Sequence, residues 1–280
     1  MVPPAAPEHL EAFLGAAGKQ WKEAPIMSED VLFEVEGPVA IVTLNRPARL
    51  NAISSGIRSG LAAAWQRFEQ DDALKVAILT GSGEKAFCAG MDLKEAAATG
   101  IGVPPHNFLP VLGDNVHVSK PVIAAVNGYA YAGGWLLAQQ CDLCIASENA
   151  SFAITEVKVG RGVPWAPPLI HMLPQRVMME LLLTGAPLSA RRALELGYVN
   201  AVVPLDKLRA AALQMASTIA HNAPLTVRAA RELVYLSTEM GRSAALQAGR
   251  HLFEAVYMSE DAREGPRAFA EKRQPNWQGR

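Results

Sequence analysis

The chain has 280 residues, half of them apolar, and its net charge at neutral pH is −1 because 26 Lys and Arg oppose 27 Asp and Glu. This hydrophobic, nearly neutral composition excludes a disordered chain, and the missing basic excess argues against a nucleic-acid-binding protein. The length is sufficient for one large domain with its own core or for two small ones.

Residues 1–28 are predicted to form a loose leader rich in Pro and Ala. The leader has neither the basic start nor the apolar run of a secretory signal. A β-hairpin follows, in which Gly37 and Pro38 join the strands FEVEG and VAIVTLN. The next element is a helix capped by Ser54 or Ser55. Its apolar residues recur at helical spacing, at Ile57, Leu61, Trp65 and Phe68.

Short apolar strands then alternate with short helices, which predicts an α/β core over residues 29–204. The strands are KVAILTG, VIAAVNG, CDLCIAS and SFAI. Between the second and the third, Gly133 and Gly134 lead into the helix WLLAQQ. Strand, loop and helix recur without a fixed period, so the sequence is not a simple solenoid.

The pattern becomes mainly helical after about residue 166. One helix ends at Gly185, and another begins at the cap Ser189 and ends at Gly197. Beyond a short strand, YVNAVVP, three amphipathic segments begin near Leu205, Thr226 and Gly241. Ser259 caps the last helix, whose first turn carries acidic residues. Residues 205–280 are therefore predicted to be a helical region.

An uncharged run of 21 residues extends from Pro121 to Cys141, which is long enough to span a bilayer. The run contains Asn127, Gln139 and Gln140 and a polar loop in its middle, so a strand, a turn and a helix explain it better. We therefore expect no membrane association.

Three cysteines cannot all pair in disulfides. Cys141 and Cys144 form a lone CxxC, and no second pair or nearby His pair completes a metal site. We interpret both as strand residues, and we expect a cytoplasmic protein.

The segment from Gly81 to Ala86 fits the dinucleotide-binding pattern G-x-G-x-x-A and follows a strand. The residues after it are a poor helix start, and no acidic residue ends a second strand about 20 residues later. A nucleotide-dependent oxidoreductase thus stays a weak alternative.

Two glycine-rich turns, AFCAGMDLKEAAA and VNGYAYAGGWLLAQ, each place small residues just before a helix. Backbone N–H groups at a helix start have no helical partner. Two such turns face to face would aim two donors at one oxygen, which is an oxyanion hole. From geometry alone, two ordinary glycine turns remain the simpler interpretation.

These turns resemble those of a known family. The segments VAIVTLNRPARLNAI, KAFCAGMDLKE, NGYAYAGGWLLAQQCDLCIAS and EGPRAFAEKR are, in this order and spacing, similar to the crotonase superfamily, the enoyl-CoA hydratase/isomerase family. The resemblance covers about Val31 to Trp277. It implies an α/β crotonase spiral of ββα units followed by a helical C-terminal trimerisation region. It further implies an acyl-CoA thioester substrate, a homotrimer or a dimer of trimers, and no metal or cofactor besides the substrate's coenzyme A.

The resemblance also assigns the chemistry. The backbone N–H groups of Met91 and Gly133 would hold the thioester oxygen, and Glu156 would be the acid/base. A solvated surface acid is the plain alternative for Glu156, although its neighbours Ile154, Val157 and Val159 are apolar. The second carboxylate of the family's hydratases is replaced by Leu136.

One base suffices to move a proton between Cα and Cγ, so we expect a Δ3-Δ2-enoyl-CoA isomerase. The alternatives are a hydratase whose water is oriented by another group and a non-catalytic acyl-CoA-binding protein. Candidates for orienting that water are Tyr129, Tyr131 and His117.

The remaining assignments concern the substrate. After Glu156 the family's glycine-rich stretch is replaced by GRGVPWAPPLIHML, which suggests a more apolar pocket wall. The predicted wall residues are Trp135, Leu136 and Trp165, and the alternative for the two tryptophans is that they are plain core residues. The predicted CoA and substrate contacts are Arg49, Ala89, Asp92, Leu93, Lys94, Phe253, Phe269 and Lys272. The last three of these would come from a neighbouring subunit.

Overall fold

The computed structural model describes residues 28–100 and 102–280. The predicted leader, except for Ser28, lies outside the described residues, and the boundaries of the predicted core and helical region stay predictions. Ten strands are described: β1 (Val31–Glu36), β2 (Val39–Leu44), β3 (Val76–Gly81), β4 (Ala86–Cys88), β5 (Val122–Val126), β6 (Tyr129–Tyr131), β7 (Leu143–Ser147), β8 (Ser151–Ala153), β9 (Leu188–Ser189) and β10 (Ala201–Val203).

The strands form two sheets. The larger sheet has the order β1-β2-β3-β5-β7-β10, and the smaller has the order β4-β6-β8-β9. The predicted hairpin of β1 and β2 is confirmed, and its turn residue Gly37 has φ +57°. All other neighbours in the larger sheet are parallel, as are β4, β6 and β8 in the smaller one. From β3 to β8, successive strands alternate between the two sheets, which produces the expected spiral of ββα units.

Helices connect these strands and form the C-terminal region. They are α1 (Ser55–Gln70), α2 (Leu93–Thr99), α3 (Gly133–Gln139), α4 (Gln175–Thr184), α5 (Ala190–Glu195), α6 (Leu208–Ala220), α7 (Pro224–Glu239), α8 (Arg242–Met258) and α9 (Asp261–Ala270). Short 3-10 turns cover Pro47–Arg49, Thr155–Val159, Pro167–His171 and Leu205–Lys207.

Three predicted helix caps are present. The Ser54 hydroxyl accepts a hydrogen bond from the Ile57 N–H at 3.1 Å. The Ser189 hydroxyl does the same for Arg192 at 3.2 Å. Ser259 accepts from Ala262 at 3.1 Å. A side chain that occupies an orphan N–H at a helix start contributes about 1 kcal/mol of stability.

The central strands are apolar on both faces because both faces are covered. One face of the larger sheet packs on α6 through Leu208, Ala212 and Ala216. The other face shares the main core with α1, which contributes Trp65 and Phe68. Parallel strands buried on two sides read as continuous apolar runs, and this explains KVAILTG and VIAAVNG.

The uncharged run from Pro121 to Cys141 is divided among β5, β6 and α3. Among the described residues, no helix has the length and apolar character needed to cross a membrane.

The C-terminal helices are fastened to the core by a half-buried ion pair. The Arg231 Nε donates to the Asp142 Oδ1 at 2.7 Å, and the Tyr235 hydroxyl donates to the same oxygen at 2.6 Å. Several large apolar side chains of this region are exposed, namely Val234, Leu246, Tyr257, Met258 and Phe269. The predicted trimer stays a prediction.

Candidate active site

The candidate site lies where three strands of the smaller sheet end. Strands β4, β6 and β8 are parallel neighbours, so their carboxyl ends share one edge of the sheet. Met91 follows β4 by three residues, Gly133 follows β6 by two, and Glu156 follows β8 by three. Neighbouring strands are about 4.8 Å apart. The topology therefore brings all three predicted residues to one edge, where ligands of α/β proteins bind.

The two glycine turns are in direct contact. A Cβ atom built on Gly133 would lie 3.8 Å from the Gly90 Cα and 4.0 Å from the Met91 nitrogen. A Cβ atom on Gly90 would lie 2.9 Å from the Ala132 Cβ, closer than real side chains approach. Gly90 also has φ +93°, which favours glycine. Glycine at position 90 thus lets the two turns meet.

Each turn contains one backbone N–H group, that of Met91 or that of Gly133, that has no acceptor among the described residues. Ile53 donates its N–H to the Gly90 oxygen at 2.8 Å and accepts from the Asp92 N–H at 3.1 Å. Backbone groups alternate in direction along an extended segment, so the N–H of Met91 points away from Ile53. Gly133 opens α3, where no helical acceptor exists. Among the described residues, neither N–H donates a hydrogen bond, so both are available to a ligand oxygen.

Ala132, which precedes Gly133, has a strained backbone. Its φ is +52° and its ψ is −124°, a region that residues with a Cβ rarely occupy. The Ala132 N–H donates to the Ala153 oxygen on β8 at 2.8 Å. The Ala132 oxygen accepts from the Trp135 N–H at 2.8 Å. Strain of this kind costs about 1–3 kcal/mol and persists only where the surroundings impose it.

Glu156 lies in the 3-10 turn after β8 and is 8% exposed. Its Oε1 accepts a hydrogen bond from the Trp165 indole N–H at 3.1 Å. Its Oε2 is buried and has no partner among the described residues. Burial raises the pKa of Glu156, and hydrogen bonds from its own backbone N–H and from Trp165 only partly oppose this. The side chain is therefore not a solvated surface acid.

The three apolar sequence neighbours of Glu156 differ in their own burial. Ile154 is fully buried, but Val157 and Val159 are 46% and 58% exposed. A 3-10 turn sends successive side chains in different directions, so apolar neighbours in sequence need not surround the acid.

Trp165 is held at two points. Its indole reaches Glu156, and its backbone oxygen accepts from the Gln139 Nε2 at 2.6 Å. Gln139 is the last residue of α3, the helix that begins at Gly133. The loop after Glu156 is thus tied to the helix that carries one of the free N–H groups.

The prediction that Trp135 lines the pocket is wrong. Its ring is fully buried, with its centroid 5.5 Å from that of Phe152 and 5.6 Å from that of Tyr198. A helix turns by about 100° per residue, so Trp135 faces the core while Leu136, the next residue, is half-buried at the core's margin.

Asp92 has a structural role that the sequence reasoning missed. Its Oδ2 accepts from Arg46 at 3.1 Å, and its Oδ1 accepts from the backbone N–H groups of Lys94 at 3.2 Å and Glu95 at 3.4 Å. The carboxylate is therefore occupied inside the turn, and the predicted contact of Asp92 with CoA stays a prediction. An Asp followed three residues later by Glu is a capping signal, and it was available in the sequence.

The other predicted CoA contacts lie in two groups. Arg49, Leu93 and Lys94 are exposed beside the first glycine turn, and Ala89 donates its N–H to the Leu50 oxygen at 3.0 Å. The second group is on or just after α8 and α9. There Phe253 is half-buried, Phe269 is 87% exposed and Lys272 is exposed.

The side chains considered for orienting water have other contacts. The Tyr131 hydroxyl lies 3.0 Å from the Ser151 Oγ, and the Tyr129 ring stacks on Tyr131 at 5.2 Å. His117 is exposed. Glu156 forms no hydrogen bond with any of the three among the described residues.

Two further sequence patterns do not form sites. Gly81 ends β3 and Ala86 begins β4, so no helix follows the G-x-G-x-x-A segment. Cys141 and Cys144 are buried free thiols, and burial raises the pKa of Cys144 to about 12. In the part of the chain that the structure describes, no group of three His, Cys, Asp or Glu is placed to hold a metal ion.

Comparisons with known proteins agree on one family. The sequence profile of the family described as enoyl-CoA hydratase/isomerase matches residues 34–280. The chain is 42% identical over 270 residues to a carnitinyl-CoA dehydratase of Salmonella typhimurium, covering 91% of this chain and all of that protein.

Solved structures give the same result. The chain is similar to an enoyl-CoA hydratase of Mycobacterium tuberculosis H37Rv, with a TM-score of 0.84 and 40% identity over 90% of this chain and 99% of that one. Enoyl-CoA hydratase EchA1 of Mycobacterium marinum gives a TM-score of 0.83 and 38% identity over the same shares of the two chains.

Proposed function

The chain belongs to the enoyl-CoA hydratase/isomerase family, whose members act on CoA thioesters, and on that premise we propose that it is an enoyl-CoA isomerase with one acid/base, Glu156. The observation that carries this proposal is the Glu156 carboxyl group, buried at the edge of the sheet, with one oxygen that has no partner among the described residues.

The first step of the proposal is stabilisation of an enolate. The thioester oxygen accepts hydrogen bonds from the N–H groups of Met91 and Gly133, which have no other acceptor among the described residues. When the Cα proton leaves, negative charge develops on this oxygen. Each fixed donor then contributes about 3 kcal/mol, because it is already oriented towards the developing charge.

The second step is proton transfer by Glu156. Its free Oε2 removes a proton from Cα of a 3-enoyl thioester, and the electron pair delocalises over the diene to the thioester oxygen. The resulting carboxylic acid returns the proton to Cγ, which leaves a 2-enoyl thioester. The raised pKa suits this exchange, since a carboxyl group that holds its proton more tightly than an ordinary glutamate gives a stronger base.

Leu136 favours isomerisation over hydration. Addition of water requires a group that orients and deprotonates the water while another group protonates Cα. An apolar side chain at position 136 supplies neither group. The Tyr131 hydroxyl lies beside Ser151, the Tyr129 ring stacks on Tyr131, and His117 is exposed. Isomerisation needs only the single carboxyl group.

A second candidate function is hydration or its reverse, dehydration. It is favoured by the similarity to the Salmonella relative, a carnitinyl-CoA dehydratase that is 42% identical to this chain. In this version Glu156 takes the Cα proton and a hydroxyl leaves Cβ from the same enolate. The protonated Glu156 would then return this proton to the departing hydroxyl, relayed by a water molecule or a substrate group, so that water leaves and the carboxylate is regenerated.

The test separates the two reactions and the step they share. The protein is incubated with a 3-enoyl-CoA and, separately, with a 2-enoyl-CoA, while double-bond migration and hydration are followed individually. Exchange of the Cα protons in D₂O reports enolate formation in either case. We expect exchange and migration to exceed hydration. Faster hydration would select the second candidate, and no exchange at all would leave an acyl-CoA-binding protein without catalysis.

A further inference from the structure

Three residues connect the two halves of the candidate site. Glu156 accepts from the Trp165 indole at 3.1 Å, and the Trp165 oxygen accepts from the Gln139 amide at 2.6 Å. Gln139 ends α3, whose first residue is Gly133. A continuous hydrogen-bonded path thus runs from the carboxyl group to the helix that carries one free N–H.

We propose that Trp165 is a positioning residue that makes Oε2 of Glu156 the proton-carrying oxygen, and that Gln139 fixes Trp165 to α3. This inference rests on the proposed role of Glu156. It adds that the base and the N–H of Gly133 are held at a constant separation by side chains, beyond the contact between their strands.

The two carboxyl oxygens of Glu156 are chemically equivalent until the protein distinguishes them. The indole N–H can only donate a hydrogen bond, so Oε1 must accept it through a lone pair. A proton on Oε1 would displace the indole, whereas Oε2 is buried and has no partner in the part of the chain that the structure describes. Protonation and deprotonation therefore occur at Oε2, and the hydrogen bond at Oε1 persists through both states.

The orientation of Gln139 follows from the same contacts. Of the two polar atoms of the Gln139 side chain, Nε2 can donate to the Trp165 oxygen. The amide oxygen in its place would face another acceptor. Gln139 is 5% exposed, and its Oε1 has no partner among the described residues. A buried amide with one unmatched atom is costly, so its placement is better explained by the hold on Trp165 than by packing.

The path predicts a pH signature. The indole hydrogen bond stabilises the ionised carboxylate and so opposes the effect of burial. Removing the donor raises the pKa of Glu156 further. Because the base must be ionised, activity is then lost at a higher pH as the solution is acidified.

The experiment compares Trp165→Phe with the wild type, since Phe keeps an aromatic ring and removes the N–H. We expect kcat to fall about tenfold, KM to change less than about threefold, and the acid limb of kcat/KM to move up by about one pH unit. A generally loosened fold would not move the acid limb in this direction.

Gln139→Met is the second variant, and it serves if Trp165→Phe does not fold. We expect it to lower kcat in the same direction although it does not touch Glu156. The matched control is Gln140→Met, which removes a neighbouring buried amide whose oxygen accepts from the Leu112 N–H. The control should keep the wild-type acid limb.

Cα exchange in Glu156→Gln, measured alongside, separates the possible failures. Retained exchange in that variant would overturn the role of Glu156 and this inference with it. If Glu156→Gln is inactive but both Trp165→Phe and Gln139→Met keep the wild-type kcat and acid limb, the proposed function stands and the positioning role is overturned.

Discussion

Two buried glutamates of this protein have opposite surroundings. Glu156, at the end of β8, is 8% exposed, and one donor, Trp165, contacts one of its oxygens. Glu264, in α9, is 5% exposed, and both of its oxygens are occupied. Arg273 reaches Oε1 at 2.6 Å and Oε2 at 3.0 Å, Asn276 donates its N–H to Oε1 at 2.8 Å, and Arg267 pairs with Oε2.

Their pKa values move in opposite directions for this reason. Burial raises the pKa of Glu156, whereas hydrogen bonds from Arg273, the Asn276 N–H and Arg267 hold the pKa of Glu264 well below its usual range. The difference teaches that burial does not by itself indicate function. A carboxylate with hydrogen-bond partners on both oxygens holds the C-terminal segment 273–276 against α9. A carboxylate with one unpartnered oxygen retains affinity for a proton and suits catalysis.

The largest effect is expected when the carboxyl group of Glu156 is removed. Glu156→Gln should lower isomerisation and Cα exchange by about 100-fold or more, because Glu156 is the proposed proton carrier and an amide cannot take up the Cα proton. The melting temperature should stay equal or rise slightly. A raised folded-state pKa means that the ionised form costs stability above that pKa, and the neutral amide avoids this cost. Unchanged turnover would contradict the assignment.

For Glu264, whose two oxygens both have hydrogen-bond partners, the expected effect is on stability. Glu264→Gln should lower the melting temperature by several degrees, because the two arginines lose their shared charge. The lowered pKa of Glu264 contributes stability that is present above its ordinary value of 4.5 and is lost as the pH falls through the folded-state pKa. The wild-type melting temperature should therefore fall in acid, and the variant should fall less.

A matched control uses the same C-terminal cluster. Glu271 also pairs with Arg273, at 2.6 Å, but its side chain is 52% exposed. Glu271→Gln should change the melting temperature little, because exposed ion pairs contribute little to stability. Equal losses of melting temperature in the two variants would show that the hydrogen bonds to both oxygens of Glu264 are not what holds the segment.

How much the sequence revealed depended on the range of the interactions. The caps Ser54, Ser189 and Ser259 were predictable because each acts on an N–H three residues away. The long apolar strands were predictable from their composition. In the small sheet β8 was predicted, in the segment SFAI, but β4 and β6 were not, since strands of three residues carry no periodicity that distinguishes them from loops.

The candidate site shows the same limit. Its residues were identified by resemblance, yet the free N–H of Met91 depends on the bridge to Ile53, which no local pattern reveals. For the same reason Trp135 was misassigned and the structural role of Asp92 was missed. Their partners, Phe152 with Tyr198 and Arg46, are distant in sequence.

Asp92 extends the comparison because it is a carboxylate within the site whose two oxygens both have hydrogen-bond partners. Asp92→Ala removes the cap of α2 and the partner of Arg46. We expect about 1 kcal/mol of lost stability, typical of a missing cap, and a several-fold fall in kcat/KM since Met91 is the preceding residue. Asp92→Asn keeps an oxygen for the cap and should recover most of the stability. Loss of all activity in Asp92→Ala, with the fold intact, would instead indicate a direct contact with substrate.

The smallest effect concerns strain, which also separates the site from the C-terminal region. Ala132→Gly places at φ +52° and ψ −124° the residue that tolerates this conformation. The variant should gain about 1 kcal/mol of stability, since the relief of strain exceeds the added entropy of the unfolded chain. Catalysis should change less than about twofold, because the hydrogen bond from the Ala132 N–H to Ala153 holds the turn in either variant. A stabilised but inactive Ala132→Gly would mean that the rigidity of alanine, rather than this hydrogen bond, keeps the Gly133 N–H in place.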